Sequence, residues 1–316
     1  VAMTRYNRVE GLSTGLGIDE QVGGGYSISA LGRFGFADHE PNVELSGART
    51  NLATTLRLTG YNHLVAANDW GNPLSFGSSL RAFLFGRDEG FYYRATGAEL
   101  TSTKETGANI EWRLFAERER SATENTTFSL GAAFPPNLAA RRGDFAGGSV
   151  RWVGSHGIDP MGWQFFSDLR LEAAGGDSAY GRGALDLTTS HALGQSAAAS
   201  LTLSGGNSLG NLPPQRRWYL GGTETVRGQS PDTAQSGNAY WLTRAQLGYG
   251  PSAVRANIFG DLGWTGDRTK LSDVGRPLSG VGAGLSMIDG LIRFDVARGI
   301  FPRQQWRVDL YFEARY

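Results

Sequence analysis

The chain has 316 residues and balances 30 Lys and Arg against 30 Asp and Glu, so its formal charge is zero and nothing favours nucleic acid. Its 46 glycines are about twice ordinary usage, and it contains no cysteine. Disulfide scaffolds, zinc ribbons and thiol nucleophiles are thereby excluded, and with no run approaching about eighteen apolar residues, so are helical membrane spans.

The opening residues, Val1 to Asn7, have no basic region followed by an apolar core. No signal peptide is read there, and the chain reads as a mature or trimmed segment. Alternation of apolar and polar residues then predicts strands near 5–18, 24–37, 42–49, 52–64, 91–103, 106–119, 145–155 and 162–174. Further strands are predicted near 180–191, 196–205, 238–249, 252–264, 278–287, 290–299 and 304–316. These are fifteen, whereas a single-chain bacterial barrel has an even number. One strand is therefore merged or missed, or an N-terminal one is trimmed, and sixteen is the expectation. The connections alternate in length: 103–106, 192–196, 248–252 and 287–290 are tight, while 69–90, 121–144, 205–237 and 265–277 are long.

The alternation puts arginine and carboxylate on one face of five segments. Ile110, Trp112, Leu114 and Ala116 oppose Glu111, Arg113 and Glu117, and Leu169 and Leu171 oppose Asp168, Arg170 and Glu172. Val254, Ala256, Ile258, Leu262 and Trp264 oppose Arg255, Asn257 and Asp261, and Ile292, Phe294 and Val296 oppose Arg293 and Asp295. At the end Trp306, Val308, Leu310, Phe312, Ala314 and Tyr316 oppose Arg307, Asp309, Tyr311, Glu313 and Arg315. A strand of that length spans about 35 Å at roughly 3.3 Å per residue, enough to cross a bilayer at a tilt.

A soluble antiparallel barrel with a solvated face has the same alternation. Three features count against it. The strands exceed the usual length of about five or six residues, Trp163, Trp264, Trp306 and Tyr316 sit near strand ends, and the turns differ in length on the two sides. The expected fold is all-β: an antiparallel transmembrane β-barrel of sixteen strands, one domain over 1–316, with a long extracellular loop folded into a polar lumen.

The longest connection carries the sharpest signal. From Pro213 to Gln229 it reads Pro-Pro-Gln-Arg-Arg-Trp-Tyr-Leu-Gly-Gly-Thr-Glu-Thr-Val-Arg-Gly-Gln. The run resembles the sixth extracellular loop of the BamA/TamA/FhaC superfamily, in which Val-Arg-Gly is followed by an aromatic. Here Val226, Arg227 and Gly228 are followed by Gln229 instead. The family's Phe-x-Asp-x-Gly pattern is matched on the second strand after the loop by Phe259, Asp261 and Gly263, and five strands follow the loop, as in the family. The opening Arg5 to Gly11 also resembles the first barrel segment of BamA-like proteins. The family's periplasmic POTRA domains have no room within the chain.

A long loop tucked into a wide lumen needs an anchor, and Arg227 offers five donors in a rigid fork. Asp261 shares the inward parity of Arg255 and Asn257, so a charge-assisted pair would pin the loop to the wall. Gly228 and Gly263 would permit close backbone approach. The alternative leaves Arg227 as one of 28 arginines in the chain, with Asp261 satisfied by Arg255. The last strand resembles the C-terminal signal of outer-membrane barrels, with Phe312 and Tyr316 at its aromatic positions.

Other constellations are weak. Gly206 to Gly210 fits Gly-x-Ser-x-Gly, but that motif carries meaning only at a strand-to-helix elbow. His39, His63, His156 and His191 lie far apart without metal-ligand spacing, so no metal and no cofactor are expected. Inward carboxylates nearly all have an arginine two residues away and read as a solvated ladder of ion pairs.

The resemblance implies a non-enzymatic protein of the bacterial outer membrane that assists insertion or translocation of unfolded β-barrel or secreted clients. Its implied mechanism is a weak seam between first and last strands, with Trp306, Leu310, Phe312 and Tyr316 on one side and Arg8 to Ile18 on the other. Two alternatives stand beside it. One is a passive anchor or pore for an upstream POTRA or passenger domain, for example a lipolytic one. The other is a diffusion porin.

Overall fold

The period-two pattern is realised as long strands laid side by side in chain order. The computed structural model describes residues 4–312 apart from 68–69, 107, 158, 160, 233–234, 252 and 289. Tyr316 therefore lies outside the described residues. The strands are β1 (Thr4–Asn7), β2 (Gly11–Gly23), β3 (Tyr26–Gly35), β4 (Pro41–Asn51) and β5 (Thr54–Ala66). A helix, α1 (Phe76–Phe85), precedes β6 (Tyr92–Thr106), β7 (Ala108–Ser121), β8 (Gly143–His156), β9 (Trp163–Gly176), β10 (Tyr180–Ala192) and β11 (Ala197–Gly210). Two short strands, β12 (Trp218–Tyr219) and β13 (Ser236–Gly237), lie within the longest connection. The series ends with β14 (Ala239–Tyr249), β15 (Val254–Gly266), β16 (Leu278–Met287), β17 (Ile292–Phe301) and β18 (Trp306–Phe312).

All but β12 and β13 join one antiparallel sheet of sixteen strands, each beside its sequence neighbour, with β1 and β18 at the two ends of the order. The expected even count holds. The strand predicted over 5–18 divides into β1 and β2, because Asn7 folds the chain back on itself. Its Oδ1 accepts from the Val9 and Glu10 amides at 3.0 and 2.9 Å, an Asx-type turn. The alternation breaks at this turn, since Asn7 and Arg8 are consecutive polar residues and Val9 has the opposite parity to Tyr6 and Leu12.

The division changes one expectation. Residues 8–10 are a turn and β2 is not terminal, since Gly11 to Thr14 pair with β1 and Ser13 to Gly23 with β3. Among the described residues it is 15–23 of β2 that have no partner on the β1 side.

Burial on the strands is inverted relative to a water-soluble sheet. On β18, Trp306 is 69% and Val308 49% exposed, while Arg307 is 6% and Asp309 2%. The apolar face is thus the exposed one; a hydrocarbon surround would supply the partner that water does not, while the ladder satisfies the backbone. Trp264 shares the parity of exposed Ile258 and Leu262 yet is buried, its ring lying against Gly266.

The chain divides into two compact units. The first comprises Val1–Val153, Leu169–Gly183 and Ser208–Arg217; the second comprises Gly154–Asp168, Ala184–Asn207 and Trp218–Tyr316. The first contains β1 to β7 and α1, which the long connection 69–90 had been expected to run without. Ser75 caps α1 by accepting from the Ser78 amide at 3.2 Å. The second contains β14 to β18 and most of the longest connection.

Candidate functional site

The second unit holds residues 218–238 of the connection between β11 and β14. Trp218 pairs with Gly237 and Tyr219 with Ser236, and the buried Trp218 ring stands 5.1 Å from Tyr240. Beyond this ribbon the chain folds into a small knot. Gly222 donates to the Gln229 carbonyl at 2.8 Å, Gly221 to Thr225 Oγ1 at 2.8 Å, and Gln229 to the Val226 carbonyl at 3.2 Å. The knot presents Val226, Arg227, Gly228 and Gln229 to β15, β16 and β17.

Arg227 is held by Asp261 on β15 through three donors. Nε and Nη2 reach its two carboxylate oxygens at 2.7 Å each, and the backbone amide reaches Oδ2 at 3.0 Å. Nη1 donates to Gln246 Oε1 at 3.1 Å, and the guanidinium sits 3.6 Å from the Phe259 ring centroid. Burial alone would lower the Arg227 pKa, but the hydrogen bond and charge of Asp261 hold it above the ordinary arginine range. Asp261 also has Arg244 Nε at 3.7 Å, and Arg227 has Asp295 Oδ2 at 3.8 Å. Asp295 in turn accepts from Tyr311 at 2.6 Å.

The neighbouring motif residues explain how the knot fits. Gly228 has φ +86, and a Cβ there would lie 2.6 Å from the Gly299 amide nitrogen, so a bare backbone is needed at both points. Gly263 acts differently from the expectation of backbone approach. A Cβ there would meet the Leu220 and Val226 side chains at 3.1 Å, so it leaves room for apolar loop residues. Gln229, standing where the family has an aromatic, is fully buried and donates to the Ser279 and Arg303 carbonyls at 3.0 and 3.1 Å.

Gln246 was not singled out in the sequence, and Asp295 and Tyr311 were read only as members of a polar strand face, not as parts of the anchor. The β14–β15 register, which sets Gln246 opposite Phe259 and Arg244 opposite Asp261, is the signal that would have found the first. Of the last-strand residues, Trp306 is exposed and pairs with Arg298, Leu310 is half-buried opposite Phe294, and Phe312 closes β18 opposite Ile292. The Gly206 to Gly210 motif lies inside β11 and is followed by a three-residue helical turn, Pro214–Arg216, rather than by an α-helix.

The first unit holds the other arm of the same connection, and a second arginine. Arg216, ending the short helical turn Pro214–Arg216, donates to Glu117 at 2.6 Å, to Glu119, and to the Tyr93 hydroxyl at 2.9 Å. Its Nε lies 3.5 Å from Glu172. Gln215 adds a bond to Glu119 at 2.5 Å. Glu117 and Glu172 were legible as inward carboxylates, but nothing local assigned them to a residue so distant in sequence.

Residues 156–309 match the Omp85 superfamily domain. Among solved structures, BamA from Haemophilus ducreyi lacking POTRA domains 1–3 superposes with a TM-score of 0.65 at 15% identity, covering 98% of this chain and 68% of that one. CdiB from Acinetobacter baumannii has a TM-score of 0.56 at 14% identity, covering 97% of this chain and 57% of that one. CdiB from Escherichia coli has a TM-score of 0.56 at 15% identity, covering 95% and 58%. No curated protein sequence matches the chain. Residues 156–309 thus resemble the Omp85 superfamily domain, and the chain as a whole shares the fold of the BamA and CdiB barrels.

Proposed function

We propose that the protein is a non-enzymatic barrel of the bacterial outer membrane that assists insertion or translocation of other proteins. The observation that carries this reading is the loop knot fixed by Arg227 on Asp261, within the part of the chain that matches the superfamily. An anchored loop keeps the wall of β14 to β17 in one arrangement while the ends of the strand order stay free to move. The strand order ends in β1 and β18, and 15–23 of β2 offer unpaired backbone groups among the described residues. Such an edge can template a client strand by β-augmentation. A mismatch between barrel and bilayer near the seam lowers the insertion barrier further. Clients are unfolded β-barrel or secreted proteins, received directly or through an upstream POTRA or passenger domain.

The test places the purified chain in liposomes and times the folding of a small unfolded barrel client. Acceleration well above empty liposomes, reduced by Arg227→Ala, supports the reading. No acceleration by properly inserted protein overturns it and leaves a passive anchor or pore.

A further inference from the structure

The first unit carries an uncharged aromatic cap at the loop-bearing end of β1. On β1, Arg5 and Asn7 are buried on the polar face, so Tyr6 lies on the apolar face, opposite exposed Leu12 of β2. The Tyr6 ring is nonetheless covered. Phe83 of α1 meets it edge-on at 5.3 Å, Phe134 stands at 6.4 Å, and its hydroxyl donates to the Phe128 carbonyl at 2.5 Å. The segment after β7 is stitched to the end of α1, with Leu130 and Ala132 amides donating to the Phe83 and Phe85 carbonyls at 2.9 and 3.2 Å. Helix and segment therefore form one body against the membrane-facing side of the first strand.

Two properties say what surrounds this body. No residue from Thr126 to Ala140, nor from Trp70 to Leu80, carries a charge, and Arg81 is buried. Phe76, Phe85, Phe128 and Leu130 are exposed on it. The body also continues an aromatic row on the same apolar face, since Thr14 pairs with exposed Phe34, and the Phe36 amide bonds the Leu12 carbonyl at 2.9 Å. Aromatic rows at strand ends mark the boundary between hydrocarbon and headgroups, and a short helix with one apolar side settles there in the plane of the interface.

We propose that α1 and residues 126–134 form a lipid-seated clamp, with Phe76, Phe85, Phe128 and Leu130 in the acyl–headgroup boundary, holding β1 through Tyr6. The inference rests on the reading of the chain as a barrel in a bilayer. Because the chain has no cysteine, single-site spin labels report on it cleanly. Phe128→Cys and Leu130→Cys are labelled separately, with Ile258→Cys on the apolar face of β15 as the reference, in phosphatidylcholine–phosphatidylglycerol vesicles. Oxygen collisions dominating over those of a nickel chelate at all three positions support the clamp. Oxygen dominating at position 258, with nickel dominating at 128 and 130, overturns it and leaves the barrel reading intact. Shielding of 128 and 130 from both reagents also overturns it, and points to a protein covering the cap. Nickel dominating at position 258 removes the barrel reading and the clamp with it.

Discussion

Asp261 receives three hydrogen bonds from one residue, an arrangement that only an arginine with its own amide turned toward the carboxylate can supply. Arg227→Ala removes both guanidinium bonds and leaves the buried Asp261 with the residue-227 amide and, as its nearest cation among the described residues, Arg244 at 3.7 Å. Breaking a buried pair by deleting one partner costs about 3–5 kcal/mol, so the loop should loosen. Arg227→Lys keeps the charge but loses the fork and should recover only part of the loss. Limited proteolysis between Leu209 and Pro231 measures both, and wild-type resistance in the alanine variant would remove Arg227 as an anchor. The pair was legible in sequence because the motif and strand parity both pointed to it. Arg216 was not legible, since its partners are set by register between strands up to about a hundred residues away.

At the level of elements, period two made nearly every strand visible, and the failure came where one long strand was drawn through a short break in the alternation. The β1–β2 turn is that break. Glu10 at its end is fully buried, paired with Arg5 at 2.6 Å and bonded by Asn7 at 2.7 Å and Asn42 at 2.9 Å. Burial alone would raise its pKa, but Arg5 and Asn7 outweigh it and hold the carboxyl below its ordinary value. A folded pKa below the unfolded one means the turn's contribution is complete above the unfolded value near 4.5 and fades as pH falls through the folded one. Thermal unfolding in detergent should therefore show midpoints falling with pH below about 4.5, and Glu10→Gln should flatten that dependence. An equal slope in both proteins would contradict the assignment. The helix α1 was missed for a different reason: ten residues inside a connection read as irregular have too short an apolar period to stand out.

For the molecule as a whole, the determining fact is the inverted burial, charged side chains inward and apolar ones outward on the same strands. That inversion is invisible to alternation alone, which is identical for either direction of burial; strand length and the asymmetry of turns resolved it. Leu262, exposed near the middle of β15, should face hydrocarbon. Leu262→Arg is then expected to destabilise the folded barrel by about 2–4 kcal/mol, as charged residues do on a lipid face near the bilayer centre. Urea titration in vesicles reads the difference, and a change below about 0.5 kcal/mol would be the behaviour of a solvated surface instead.

Gln229 has a consequence for how the sequence of its surroundings is free to drift. Its amide does not engage any side chain; both its acceptors are main-chain oxygens, of Ser279 and Arg303. Replacing either residue leaves those oxygens where they are. The Gln229 side chain is thus tolerant of substitution at those two positions, whereas the Arg227–Asp261 bond must be inherited as a pair.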